Sequence, residues 1–140
     1  MKLLISALLL FPSMCFSQKK RDNTIVIPYK VSIEKIKSIL FKNSYNLDGN
    51  VSLFFITQGK SLSTSAVEIK LMFHRTDSAT YIKGLFKSQV KISLFGKIPA
   101  DNDFQEIFFG GMKRSQLRES WIEVDRIAKL IGLPVLYIKE

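Results

Sequence analysis

The sequence predicts a single α+β domain: an antiparallel sheet of about five to six strands with two amphipathic helices packed on one face. Three observations carry this. Strand-like runs of alternating or β-branched residues cluster between two segments of helical periodicity, an order that favours an antiparallel sheet over a βαβ arrangement. The 140 residues suffice for one core. Apolar residues at 46% and charged residues at 24% are the balance of a folded globular chain.

Residues 1–17 read as a secretory signal peptide. Lys2 is a minimal positive n-region, Leu3 to Phe11 is an almost unbroken apolar run, and Pro12 ends it. Cys15 and Ser17 have the −3 and −1 spacing of a signal-peptidase site, which places the cut before Gln18. The run is shorter than the about 20 residues a spanning helix needs, so no transmembrane segment is expected after cleavage. Lys19, Lys20 and Arg21 oppose the usual export orientation, and an uncleaved anchor or a buried N-terminal helix is the competing reading. Residues 18–23 read as a basic disordered tail, and 24–140 as the domain.

Within the domain, Thr24 to Tyr29 is β-branched, and Pro28 removes a ladder donor, which predicts an edge strand. Ser32 suits an N-cap, and Ile33, Ile36 and Leu40 recur at helical spacing over roughly Ile33 to Asn43. Asn46 to Asn50 reads as a turn, with Gly49 available for positive φ. Val51 to Thr57 reads as a strand and residues 58–65 as a polar loop. Ala66 to Arg75 has the clearest alternation: Val67, Ile69, Leu71 and Phe73 share one face, Glu68, Lys70, Met72 and His74 the other. Thr76 to Ala79 is a turn. Thr80 to Phe95 is one long bulged strand or two tightly joined strands, with Gly84 marking a bulge or a close approach. A loop spans Gly96 to Asp103, and Phe104 to Phe109 is a further strand. Leu117, Trp121, Val124, Ala128 and Ile131 form one helical stripe, with Asp125 and Lys129 paired outside it. Gly132 suits the helix end, Pro134 blocks continuation, and Val135 to Ile138 returns as a strand. The element order is β-α-β-β-β-β-α-β.

Charge and cysteine content narrow the partners. The 21 basic and 12 acidic residues give a net charge of +9, and losing residues 1–17 removes only Lys2 among them. Such a surface attracts anionic partners, an envelope protein or an anionic polymer among them. Export makes nucleic acid an unexpected target, even though Tyr81, Lys83, Lys87 and Lys91 would line one strand face. The sole cysteine, Cys15, lies in the leader, so the mature domain has no disulfide and no thiolate metal site.

No catalytic or cofactor motif stands out. His74 is the one histidine, without a spaced nucleophile or second ligand, and reads as a surface residue. Glu119 and Glu123 read as a solvated helix pair, and Asp101, Asn102 and Asp103 lack calcium-loop spacing. Two candidate surfaces remain. Gly110 and Gly111 permit close backbone approach, and with Lys113, Arg114 and Arg118 at the start of the second helix they form a candidate anion site. The competing reading is a basic strand-to-helix turn. The doublets Phe54-Phe55 and Phe108-Phe109 are a candidate partner surface. The expected function is an exported, periplasmic or secreted, non-enzymatic binding or structural module, with polyanion binding at the basic cluster as the alternative.

Overall fold

The computed structural model describes residues 18–63, 66–89 and 103–140. The leader expected at 1–17, Lys91, Asp101 and Asn102 lie outside the described residues, as does the end of the segment 80–95. The elements are β1 (Thr24–Ile27), α1 (Ile33–Lys42), β2 (Leu47–Asp48), β3 (Phe54–Thr57), β4 (Lys60–Leu62), β5 (Val67–Arg75), β6 (Thr80–Ser88), β7 (Gln105–Glu106), α2 (Gln116–Leu130) and β8 (Leu136–Ile138). All strand pairs are antiparallel, in the order β2-β3-β5-β6-β1-β8, with β4 also on β5 and β7 also on β6.

The α+β class stands, but the sheet has eight strands rather than five or six. The additions are β2 and β4, two and three residues long, and neither has a hydrophobic period of its own. β2 is drawn into the ladder by β3, where Leu47 faces Thr57. β4 continues along the edge of β5 that β3 begins, with Leu62 opposite Val67. Only Gln105 and Glu106 of the strand expected over Phe104–Phe109 pair with β6.

β5 and β6 form the centre. Their ladder runs unbroken from Val67 opposite Ser88 to Arg75 opposite Thr80, and the Thr76 N–H bonds to Ala79 O at 2.9 Å in the turn. Gly84 therefore marks no bulge. A Cβ there would stand 2.6 Å from Val124 Cγ2 and 2.8 Å from Ile107 Cδ1, so the missing side chain lets α2 approach the sheet.

Two expectations need correction. β1 is an interior strand, flanked by β6 and β8, because Pro28 falls just beyond the last paired residue and deprives the ladder of nothing. Residues 18–23 are also tied down. Arg21 N–H bonds to Phe109 O at 2.8 Å, while Asp22 and Asn23 are buried, and Asn23 exchanges hydrogen bonds with Glu140.

Both helices begin as their residues dictate. Ser32 Oγ accepts from Lys35 N–H at 3.3 Å, and Ser115 Oγ accepts from Arg118 N–H at 3.2 Å. Gly132, at φ +79°, ends α2 in the left-handed region. One buried cluster joins Ile36 and Leu40 of α1, Trp121, Val124, Ile127 and Ala128 of α2, and Ile25, Ile27, Ile69, Leu71, Phe73 and Ile82 of the sheet. The strand residues between these point the other way, and that outward face positions the site.

Candidate functional site

Strand register places an aromatic row on the outward face. Phe54 on β3 stands opposite His74 on β5, and His74 opposite Tyr81 on β6. The His74 and Tyr81 rings stack with centroids 5.8 Å apart and planes inclined 30°. In the next row Met72 faces Ile56 on one side and Lys83 on the other. Phe54, Met72, His74, Thr76, Tyr81, Lys83 and Glu140 line a groove of about 590 Å³, within the range that binding sites occupy. Its polar end is set by Lys83 Nζ, 2.7 Å from Glu140 Oε2 and 4.0 Å from Glu106 Oε1. The groove thus offers a bed of rings and a thioether beside a partly exposed ion pair. It suits apolar side chains that keep a polar backbone in water.

The aromatic doublets divide. Phe54 is 54% exposed on the groove side. Phe55 is buried and stacks on Phe73 at 5.0 Å, so it is no part of a partner surface. Successive strand residues face opposite ways, and only one of the pair could remain outside. Phe108 and Phe109 are half-buried, with Phe109 at the core margin, 6.1 Å from the Trp121 ring. Register was the missing signal for Met72, His74 and Tyr81: alternation puts each on a polar face, but only strand pairing puts them together.

The basic segment keeps its charge at the surface. Gly111 adopts φ +81° and Arg114 φ +65°, turning the chain tightly into α2 and leaving Lys113 and Arg114 exposed. Gly110 is half-buried beside the Phe108 ring. Arg118 lies over the Phe109 ring at 4.6 Å, a cation–π contact. The helix start itself is partly spoken for, since Ser115 caps the Arg118 N–H and Glu119 brings a carboxylate into the first turn.

Glu123 is a further correction. It is buried instead of solvated beside Glu119, and it holds three elements together. Tyr45 donates its hydroxyl to Oε1 at 2.9 Å, Arg126 donates to both oxygens at 2.8 Å, and Lys60 Nζ of β4 lies 3.6 Å away. Burial alone would push the Glu123 carboxyl up. The hydrogen bonds from Arg126 and Tyr45, with the charges of Arg126 and Lys60, outweigh it and hold the group below the usual carboxylate range. Burial, then the adjacent Glu123 charge, raises the Tyr45 phenol well above its ordinary value. Every polar atom of this carboxylate is engaged with the chain's own groups, so the cluster reads as a structural tie and not a reactive site.

Among the described residues, no group of three or more His, Cys, Asp or Glu could hold a metal ion. No described helix is long and apolar enough to cross a membrane. Comparison with protein-family models, curated proteins and solved structures finds no match for the chain.

Proposed function

We propose that the chain is an exported, non-enzymatic binding module, working in the periplasm or outside the cell, that receives side chains of a partner polypeptide on the open face of its sheet. The observation that carries this reading is the groove of Phe54, Met72, His74 and Tyr81 on the face turned away from the helices. A small ligand usually has most of its surface enclosed. This groove is open along one side, which fits a partner whose backbone stays in solvent while one or two apolar side chains are covered. Export rests on the leader pattern of residues 1–17.

The test is a photo-crosslinking phenylalanine analogue at position 54 in the native compartment, with the same analogue at Phe41 as control. Phe41 is 79% exposed on α1 and lies outside the groove. An adduct from position 54 that disappears when Met72→Glu is added supports the reading. Adducts from 41 alone would place the partner elsewhere. Polyanion binding at Lys113, Arg114 and Arg118 is the second reading, favoured by the two exposed cations at the turn. It predicts binding that collapses at high salt, whereas apolar contact in the groove persists.

A further inference from the structure

Lys19, Lys20 and Arg21 are remote in sequence from Lys113, Arg114 and Arg118, yet the fold sets the two runs side by side. Arg21 N–H bonds to Phe109 O at 2.8 Å, and Phe109 N–H bonds back to Asp22 O at 2.7 Å. The same Phe109 ring lies beneath the Arg118 guanidinium. Gln18 accepts from Trp121 Nε1 at 3.3 Å, which brings the segment against the first turns of α2. Five of the six cations are exposed, and Arg118 is half-buried. Among the described residues none of the six has an ion-pair partner, while Lys30, Lys60, Lys83, Arg126 and Lys129 each do. Of the neighbouring carboxylates, Asp22 is buried and engaged by Lys19 N–H at 2.6 Å, and Glu119 is half-buried. The patch keeps an uncompensated positive charge.

Met112 stands within this patch. It is 82% exposed, held out by the turn at Gly111 and followed directly by Lys113 and Arg114. A soluble polyanion would engage the cations and leave the thioether in water. An anionic bilayer satisfies both, with phosphate and carboxylate headgroups for the cations and the acyl boundary for Met112. We infer that Lys19, Lys20, Arg21, Lys113, Arg114 and Arg118 form one face that docks on an anionic lipid surface, with Met112 entering the headgroup boundary. This surface is separate from the sheet groove and does not rest on it.

Among the described residues the buried cluster runs from Ile25 to Ile131, within residues 18–140, the chain that the proposed leader cleavage would leave. Co-sedimentation of 18–140 with phosphatidylcholine vesicles, with and without phosphatidylglycerol, is the test. Binding is expected only with phosphatidylglycerol. Lys113→Gln with Arg114→Gln lowers the partition about 25-fold, at about fivefold per cation, and Lys19→Gln with Lys20→Gln does the same. Met112→Ser weakens vesicle binding but leaves binding to inorganic polyphosphate unchanged. Because Cys15 is the sole cysteine, Met112→Cys in 18–140 takes one polarity-sensitive dye, whose emission shifts to the blue on anionic vesicles. Equal binding to neutral and anionic vesicles, or polyphosphate binding without vesicle binding, overturns the inference. The crosslink from position 54 is unaffected by these variants, so the two proposals fail separately.

Discussion

At Gly84 in the central strand β6 the absent side chain makes room for Val124 of α2, and Gly84→Ala tests that packing. The added methyl would meet Val124 Cγ2 at 2.6 Å and Ile107 Cδ1 at 2.8 Å, both closer than carbon atoms tolerate. Val124 and Ile107 are fully buried, so neither can swing into solvent, and the clash must be met by shifting α2 or forcing rotamers. Overpacking of this kind costs about 1–3 kcal/mol. A ladder bond is not at stake, because alanine keeps the backbone N–H and C=O of β6. Urea unfolding of Gly84→Ala, Val124→Ala and the double variant measures the effect. Val124→Ala removes Cγ2 and opens the space the new methyl needs. The double variant is therefore more stable than the sum of the single losses implies, by about 1 kcal/mol. Strict additivity, or a Gly84→Ala variant as stable as the parent, would refute the close approach.

The two phenylalanines of β3 separate by face: Phe55→Ala costs about 3–5 kcal/mol in urea unfolding, whereas Phe54→Ala, half outside already, costs less than about 1 kcal/mol. Tyr45→Phe removes the hydroxyl that Glu123 accepts and lowers stability by about 1–2 kcal/mol in the same assay, with the secondary structure unchanged by circular dichroism. Glu123 has a folded-state pKa below its ordinary value of 4.5, so its contribution is present in full above about that pH. The stability gap between the parent and Glu123→Gln consequently narrows as pH falls below 4.5, and a gap that widened in acid would reverse the sign of the argument. Ser115→Ala loses the cap on α2 and costs about 1 kcal/mol in thermal or urea unfolding.

Elements with a period of their own were legible in the sequence. The Leu117–Ile131 stripe gave α2, Ser32 gave the start of α1, and the Val67–Phe73 alternation gave β5 with the correct inward face. Gly132 marked the end of α2. The short strands β2 and β4 were not legible, because two or three residues join a ladder when a neighbour presents unpaired backbone groups, and β7 was legible only as a longer strand over Phe104–Phe109. Pro28 misled for a related reason: its effect on a ladder depends on whether it falls inside or just past the paired stretch. Glu123 borders the apolar stripe, and its burial is decided by Tyr45 and Lys60, which only tertiary folding brings to it. For the groove, composition named Phe54, but His74, Met72 and Tyr81 became one surface through the register of β3, β5 and β6. The joining of Lys19–Arg21 to Lys113–Arg118 likewise required the Arg21–Phe109 and Phe109–Asp22 hydrogen bonds.

Hydroxyl-radical footprinting of the protein in its native compartment, set against the purified chain, tests the binding face most directly. Phe54, Met72 and Tyr81 should lose reactivity in the native setting while Phe41 keeps its own. Unchanged labelling at all three groove residues, with protection confined to the helix side, would contradict the assignment of the open sheet face as the binding surface.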